Sequence, residues 1–324
     1  MRLVVTGAAG FLGQRLISAI LARGSLTNAA GVVTPVTRIL AFDKMEAHAF
    51  GDSRVLPVTG DIADPGAVAC LIDQDTDSVF HLAAVVSGEA ERNFDLGLTI
   101  NVDATRAIME RMRHAAPGAK LMTTSSVAVF GGAMPATVPD SYVWKPQSSY
   151  GTQKAINDLL LSDYSRRGYI DGLSLRMPTI VVRPGKPNAA ASSFASGIIR
   201  EPLNGDMAIC PVSPKTVLWI MSPEQAILNL LHGHELPRAL LGSDRVINMP
   251  GLSVTVTEML QALRSVGGDA AADRVRMEPD PAIEAIVNSW PGNFSAERAH
   301  SLGFTHDADM RSIIVAFMRH MGLH

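Results

Sequence analysis

The stretch Leu3-Val4-Val5-Thr6-Gly7-Ala8-Ala9-Gly10-Phe11-Leu12-Gly13 places a short apolar run before a glycine-rich turn and the start of an amphipathic segment. The apolar run predicts a buried strand, and apolar residues at helical spacing predict a helix over Phe11 to Arg23. Glycines at such a junction let a nucleotide pyrophosphate approach bare backbone and the N–H groups that open a helix. The stretch therefore predicts a dinucleotide site. Its expected contacts are Gly7, Gly10, Phe11, Leu12 and Gly13.

Strand-like and helix-like segments alternate from this stretch to about residue 178. Such alternation predicts an α/β protein with a doubly wound (Rossmann) parallel sheet, covered by helices on both faces. The pattern weakens after Met177, so we expect a nucleotide-binding domain over residues 1–178 and a smaller substrate-binding region over residues 179–324. A strand and helix within residues 215–236 are expected to return to the first domain. The other predicted strands cover 38–43, 55–58, 78–82, 120–125 and 173–177, and the other helices cover 65–74, 99–114, 150–166 and 192–200.

Composition limits the classes of partner. The chain has 324 residues, 47% of them hydrophobic and 18% charged, with a net charge of -3. These values indicate a globular protein and show no basic patch for nucleic acid. Cys70 and Cys210 lie far apart, which does not indicate a disulfide framework or a metal cluster, and no export or membrane segment is evident. His232 and His234, at i and i+2, do not share a helix face. We expect a cytoplasmic protein with no metal, membrane or nucleic-acid partner.

Asp43 ends the second sheet strand, thirty residues after Gly13. A carboxylate at this position accepts hydrogen bonds from the adenosine ribose and repels a 2′-phosphate, so NAD is expected over NADP. The usual spacing is about 20 residues, and we assign the excess to an insertion from Ser25 to Val36. An Asp that closes a strand is also a common turn former, and Lys44 beside it weakens the charge argument.

Later strand ends supply further expected cofactor contacts. Asp61 and Ile62 would contact the adenine through a carboxylate and an apolar side chain, although a helix cap at Asp61 or Asp64 is an alternative. The small side chains of the Leu82-Ala83-Ala84 segment would let the cofactor lie against the backbone, with His81 as a structural residue.

Tyr150 and Lys154 are four residues apart, so a helix places them on one face. A tyrosine with a pKa near ~10 needs a shift of roughly two to three units to act as a base near neutrality. A unit charge at about 4 Å and an effective dielectric constant of ~20 contributes roughly 4 kcal/mol, which is enough. Ser126, at the end of a predicted strand, could bond both the substrate oxygen and the Tyr150 phenol. A surface pair of Tyr and Lys is the structural alternative.

The chain resembles the extended short-chain dehydrogenase/reductases, the nucleotide-sugar epimerase and dehydratase group. The resemblance is carried by the glycine turn, Asp43, Asp61, the 81–84 segment, Asn101, Ser126 and the Tyr150-x-x-x-Lys154 pair. The resemblance implies that Tyr150 is the base, that Lys154 lowers its pKa and bonds the nicotinamide ribose, and that Ser126 orients the substrate hydroxyl. It also implies a proton relay at Asn101, a cofactor contact at Pro178 and a possible homodimer. Phe130 in place of Tyr and Ala104 in place of Gly are departures that remove no reacting group.

The segments 85–91 and 183–203 are similar to the D-erythronate dehydrogenases, which oxidise C2 of a four-carbon sugar acid with NAD. A carboxylate substrate requires a cation and neutral donors, and these cluster in the second segment. The resemblance and this chemistry predict substrate contacts at Ser87, Gly88, Ser126, Tyr150, Arg183, Lys186, Asn188 and Ser192.

Two alternatives remain open at the level of sequence. A nucleotide-sugar 4-epimerase or 4,6-dehydratase would use the same three residues but return the hydride to its substrate. The dehydratase is the weaker of the two, because Val127 and Ala128 occupy positions where those enzymes usually have an acidic pair. A non-catalytic dinucleotide-sensing protein would bind the cofactor without needing the Tyr150 base.

Overall fold

The computed structural model describes residues 1–46, 50–185 and 190–323. Its strands are β1 (Arg2–Thr6), β2 (Ser25–Thr27), β3 (Val33–Pro35), β4 (Arg38–Asp43), β5 (Val55–Thr59), β6 (Ser78–His81), β7 (Lys120–Ser126), β8 (Asp171–Met177), β9 (Thr179–Ile180), β10 (Ala208–Cys210), β11 (Val217–Met221), β12 (Val246–Asn248), β13 (Leu252–Thr255) and β14 (Val275–Met277).

The helices are α1 (Phe11–Arg23), α2 (Pro65–Leu71), α3 (Ser87–Arg92), α4 (Phe94–Gly97), α5 (Ala104–Ala115), α6 (Ser149–Arg166), α7 (Ser193–Leu203), α8 (Pro223–Glu235), α9 (Arg238–Leu241), α10 (Val256–Gly267), α11 (Asp269–Ala272), α12 (Pro281–Asn288), α13 (Glu297–Ser301) and α14 (Met310–Met321). A π-helical segment, Leu98–Asp103, joins α4 to α5, and a 3-10 turn, Val127–Val129, follows β7. In the described part of the chain, no helix is long and apolar enough to cross a membrane.

The central sheet has seven strands in the order β12-β8-β7-β6-β1-β4-β5, and every neighbouring pair is parallel. The chain runs outward from β1 through β4 to β5 and then crosses to β6 on the other side of β1. This reversal creates a crevice at the carboxyl ends of β1 and β6, where open α/β sheets bind their ligands.

Helices cover both faces of this sheet. One face packs against α1 and α8, through buried residues such as Leu16, Ile20 and Leu230. The other face packs against α2, α5 and α6, through residues such as Val68, Met109 and Leu161. Because the strands are covered on both sides, they are apolar along their length, as in β1, where Leu3, Val4 and Val5 are fully buried. The predicted doubly wound α/β fold is confirmed.

A second core lies in the later part of the chain, around the three-stranded sheet β13-β11-β9. The expected return of residues 215–236 to the central sheet is wrong for its strand, because β11 pairs with β9 and β13. A buried apolar strand has the same sequence pattern whichever sheet it joins. Helix α8 does pack on the central sheet, and β12 supplies the seventh strand of that sheet. The domain boundary near residue 178 stays a prediction.

The insertion expected between Ser25 and Val36 forms a two-stranded antiparallel hairpin of β2 and β3. The Thr27 backbone N–H donates to the Glu235 carboxylate at the end of α8, 3.0 Å away. This contact holds the hairpin against α8 and away from the carboxyl ends of the sheet strands, so the insertion lengthens the chain before Asp43 without entering the crevice.

Candidate active site

In the glycine turn, other backbone atoms lie so close to Gly7 and Gly13 that neither position has room for a side chain. Gly7 has a positive φ of 73°, and a Cβ there would lie 2.7 Å from the Ala83 backbone nitrogen. A Cβ at Gly13 would overlap the Gly7 carbonyl. Gly10, the N-cap of α1, has no side chain to cap the first N–H groups of the helix. The turn is therefore a cradle of bare backbone at a helix N-terminus, and this geometry fits a pyrophosphate.

Asp43 lies beside this turn. Its Oδ2 accepts a hydrogen bond from the Ala9 backbone N–H at 3.0 Å, and its Oδ1 accepts one from Met45 at 3.1 Å. Asp61 accepts from the Ala63 N–H at 2.9 Å, and Asp64 caps α2. Ile62 is only 7% exposed and belongs to the core beneath α2. The expected contacts of Asp43, Asp61 and Ile62 with adenosine stay predictions.

A cavity of about 220 Å³ opens at the carboxyl ends of β6, β7 and β8. It brings together eleven of the predicted site residues: Phe11, Leu12, Leu82, Ala84, Ser87, Ser126, Tyr150, Lys154, Pro178, Arg183 and Ser192. Among the described side chains that line it, two are cations, Lys154 and Arg183, and none is a carboxylate. The cavity therefore favours an anionic ligand.

The first turn of α6 carries Tyr150 and is fixed from three sides. The Ser148 hydroxyl caps the helix by accepting from the Gly151 N–H at 3.2 Å, and Glu91 accepts from the Ser149 N–H at 2.9 Å. A Cβ at Gly151 would overlap the Ala128 carbonyl in the 3-10 turn. Only a glycine therefore lets the helix approach this turn, which begins directly after Ser126.

Burial raises the pKa of Tyr150 to about 12, and the positive charge of Arg183 and a hydrogen bond with Ser126 act in the opposite direction. From the sequence, Lys154 is the only cation expected to lower the pKa of Tyr150. In the structure, the Lys154 Nζ lies 5.7 Å from the centre of the Tyr150 ring and donates to the Thr124 carbonyl at 2.8 Å. Arg183 is therefore a cation that lowers the pKa of Tyr150, and the expected lowering of this pKa by Lys154 stays a prediction.

Lys154 is 7% exposed, and burial lowers its pKa to about 8, while the negative charge of Asp158 raises it. The ammonium is thus close to losing its proton in a mildly alkaline solution. Lys154 and Tyr150 occupy the same cavity wall, on one face of α6, as their four-residue spacing predicts.

Arg183 enters the cavity from the segment that follows β9. Its backbone is held by α7, because its N–H donates to the Ser196 hydroxyl at 3.0 Å and its carbonyl accepts from Arg200 at 2.7 Å. Its guanidinium lies 3.4 Å from the Ser192 hydroxyl, which opens the same helix. Burial and the charge of Arg200 lower the Arg183 pKa to about 10, so Arg183 is a cation at neutral pH.

Ser87 also lines the cavity, and its hydroxyl accepts a hydrogen bond from the Ala191 N–H at 3.3 Å. Gly88 is the next residue of α3 and is not among the lining residues. Lys186 and Asn188 lie outside the described residues.

Asn101 is a buried residue of the π-helical segment. Its amide oxygen accepts from the Val85 N–H at 2.8 Å, and its amide nitrogen donates to the Gln153 side chain at 2.7 Å. These contacts brace Val85 and α6 against each other. A proton relay through Asn101 stays a prediction.

Several lining residues were not predicted from the sequence. They include Val86, Thr124, Val127, Met177, Thr179, Ile180 and Trp290. Thr124 and Met177 are on strands β7 and β8, so the rule that ligands bind at strand carboxyl ends would have found them. Trp290 follows α12, more than a hundred residues after Arg183, and no local pattern relates it to the cavity.

Comparison with known proteins agrees with this geometry. Residues 3–219 match the NAD dependent epimerase/dehydratase family. The chain is 53% identical to the D-erythronate dehydrogenase of Cupriavidus necator over 323 residues, which cover 100% of this chain and 99% of the relative. It is 43% identical to the D-erythronate dehydrogenase of Haemophilus influenzae over 320 residues, covering 99% of each.

A crystal structure described as the nucleoside-diphosphate-sugar epimerase from Agrobacterium tumefaciens superposes with a TM-score of 0.93 and 41% identity, over 100% of this chain and 95% of that one. The predicted resemblance to the epimerase and dehydratase group is confirmed. The glycine cradle, the doubly wound sheet and the family match over most of the first 219 residues lead to one conclusion. The chain belongs to the NAD dependent epimerase/dehydratase family.

Proposed function

We propose that the protein is an NAD-dependent dehydrogenase that oxidises the C2 hydroxyl of D-erythronate to give 2-oxo-D-erythronate. The observation that carries this proposal is the single cavity in which Ser126, Tyr150 and Lys154 meet Arg183. A hydroxyl to be oxidised and a carboxylate to be bound both find matching groups there. Two relatives at 53% and 43% identity that cover nearly the whole chain bear the name of this activity.

NAD fits the cradle formed by Gly7, Gly10 and Gly13. Gly7 and Gly13 let the turn and α1 pack closely on the protein backbone, and Gly10 leaves the helix N-terminus open to a pyrophosphate. Asp43 would hold the adenosine ribose, and its charge favours NAD over NADP. When bound, NAD supplies the nicotinamide ring that accepts the hydride from C2. Phe11, Leu12, Leu82, Ala84 and Pro178 line the cavity and would enclose the nicotinamide half.

Tyr150 would remove the proton from the C2 hydroxyl as a general base. Its pKa, which burial raises, must fall for this step, and two cations, Lys154 and Arg183, line the cavity with it. Ser126 would hold the substrate oxygen and stabilise it as it becomes a carbonyl.

Arg183 would bind the carboxylate of the sugar acid. A guanidinium matches a carboxylate with two parallel hydrogen bonds, and Ser192 and Ser87 add neutral hydroxyl groups to the lining of the cavity. Lys186 and Asn188, predicted from the same segment, remain further candidates for this contact.

The direct test is the formation of NADH, followed at 340 nm, with D-erythronate and a panel of four- and five-carbon aldonates. We expect D-erythronate to give the highest kcat/KM. Tyr150→Phe should lower kcat by about 100-fold or more, the usual contribution of a general base, without loss of NAD binding. Near-normal turnover by Tyr150→Phe with NAD bound would contradict the assignment of the base.

A nucleotide-sugar epimerase is the second candidate, and the name of the structural relative at 41% identity favours it. Conversion of a UDP-sugar without net NADH, together with no activity on the aldonates, would identify it. Tight NAD binding with no turnover of either substrate class would instead indicate a sensing protein.

A further inference from the structure

A buried carboxylate lies one helical turn beyond Lys154. Asp158 is fully buried in α6, and three side chains donate hydrogen bonds to it. Its Oδ1 accepts from the Ser174 hydroxyl at 2.6 Å, and its Oδ2 accepts from the Ser125 hydroxyl and the Arg176 Nε, each at 2.9 Å. The proposed function assigns no role to this group.

The partners of Asp158 belong to the two strands that lead into the cavity. Ser125 immediately precedes Ser126 at the end of β7, and it is paired with Arg176 of β8 in the sheet. Arg176 is held in turn, because its guanidinium stacks 3.8 Å from the centre of the Trp144 ring. One carboxylate therefore fixes α6, which carries Tyr150 and Lys154, to the strand end that carries Ser126.

An ion pair with side-chain exposures of 3% and 0% is an expensive way to join three elements, because apolar side chains of similar volume often do so at lower cost. The charge of Asp158 has a second effect that an apolar residue would lack. Lys154 is buried and donates to a neutral carbonyl, and burial disfavours its ammonium form. Asp158 is the negative charge that opposes this loss.

Among the described residues, the other ionisable groups around Lys154 supply no negative charge at neutral pH. Tyr150 on α6 keeps its proton at neutral pH, and Arg183 across the cavity is a cation. His81 on β6 is neutral, since burial and the Lys154 charge lower its pKa to about 3. Arg176 on β8 is also positive and is neutralised by its pairing with Asp158.

We propose that Asp158 is a positioning residue of the active site, whose buried carboxylate keeps Lys154 in its ammonium form and holds it in register with Ser126. This inference rests on the proposed role of Lys154 beside the cofactor and goes beyond it, because it assigns a role to the buried carboxylate one turn after Lys154.

The test compares Asp158→Asn with Asp171→Asn. Asp171 forms a buried ion pair with Arg245 at 2.9 Å at the opposite end of β8, so its variant loses a similar pair away from Lys154. The pH dependence of kcat and of NADH affinity, measured by NADH fluorescence, reports the charge of Lys154. For Asp158→Asn we expect the fall at high pH to move lower by about one unit or more. Asp171→Asn should lower the Tm but leave both profiles in place.

Profiles of Asp158→Asn that superpose on the wild type, or an equal shift in Asp171→Asn, would overturn the proposal. Asp158→Asn leaves Arg176 without its partner, so the pair variant Asp158→Asn/Arg176→Gln removes both charges together. It should fold and show a smaller shift in the same direction, because the loss of the Arg176 charge partly offsets the loss of the Asp158 charge. A folded pair variant without any shift would assign Asp158 a purely structural role. NADH binding needs no substrate. If the wild-type protein oxidises no aldonate, the proposed function is wrong. The pH profile of NADH binding would still test the role of Asp158.

Discussion

Arg183 connects two functions in one side chain. It lines the cavity, and its charge lowers the pKa of Tyr150. A substrate carboxylate bound to Arg183 would reduce the positive charge that Tyr150 experiences, so Lys154 would become the main cation acting on the base. If Arg183 binds the substrate and Tyr150 is the base, as proposed, we expect substrate binding and proton transfer to be coupled through electrostatics.

Arg183→Gln should raise KM for D-erythronate by about 10- to 100-fold, because a hydrogen bond to a charged group contributes roughly 1.5–3 kcal/mol. Steady-state kinetics at neutral pH checks this value. Arg200→Gln is a demanding control, since it removes a neighbouring cation that contacts Arg183 through its backbone carbonyl and also pairs with Glu201. A larger rise in KM for Arg200→Gln than for Arg183→Gln would contradict the assignment of Arg183 to the substrate carboxylate.

Gly151 determines where Tyr150 lies, because α6 touches the Ala128 carbonyl at this residue. Gly151→Ala should push the start of α6 away from the turn and lower kcat by about 10-fold or more, as small displacements of a reacting group are costly. Gly197→Ala in α7 is the matched helical control, since its nearest neighbour would be Glu201 at 3.5 Å. Normal kcat in folded Gly151→Ala would show that Tyr150 tolerates the displacement.

At the scale of elements, the sequence predicted the bounds of several helices and strands well. Helix α1 and strand β4 have the predicted ends, and α6 starts one residue earlier than expected. The predicted helix over residues 99–114 is less regular, since its first turns form the π-helical segment in which Asn101 lies. Apolar spacing identifies a helical segment but does not distinguish α from π hydrogen bonding.

The N-caps of α6 and α10 offer a matched pair of substitutions. Ser148 caps the helix that carries Tyr150, whereas Thr255 caps α10 in the second core through a capping box. Ser148→Ala and Thr255→Ala should each cost about 1 kcal/mol of stability. Only Ser148→Ala should also lower kcat. Thermal melts and kinetics of both variants provide the check, and an equal loss of kcat in the two would argue against a link between the α6 cap and the base.

At the scale of the whole molecule, a buried polar connection crosses the sheet beneath the cavity. His81 of β6 bonds Thr6 of β1 at 2.7 Å and Thr105 of α5 at 2.9 Å. The Thr105 hydroxyl then donates to the Asn101 carbonyl at 2.7 Å. The neutral imidazole of His81 therefore connects β1, the strand before the glycine turn, to the π-helical segment that contains Asn101.

This connection predicts acid sensitivity. Burial lowers the His81 pKa from 6.5 to about 3, so the unfolded chain binds more protons between these values and stability falls as pH decreases through this window. At about pH 5 the loss should be roughly 2 kcal/mol relative to neutral pH. Denaturant melts at both pH values test this expectation. His81→Gln should reduce the pH dependence, the surface variant His114→Gln should not, and equal slopes for all three proteins would contradict the role of His81.

The doubly wound fold, the glycine cradle and the Tyr150-Lys154 pair could all be predicted from the sequence. Each depends on local spacing and on residue types that few other structures require. The tertiary structure was needed to show which sheet β11 joins, that Arg183 and Trp290 line the cavity, and that Asp158 pairs with Arg176. These relations depend on pairings between distant segments and on burial, and neither the hydrogen-bond partner of a strand nor the dielectric environment of a charge is encoded in the residues adjacent to it.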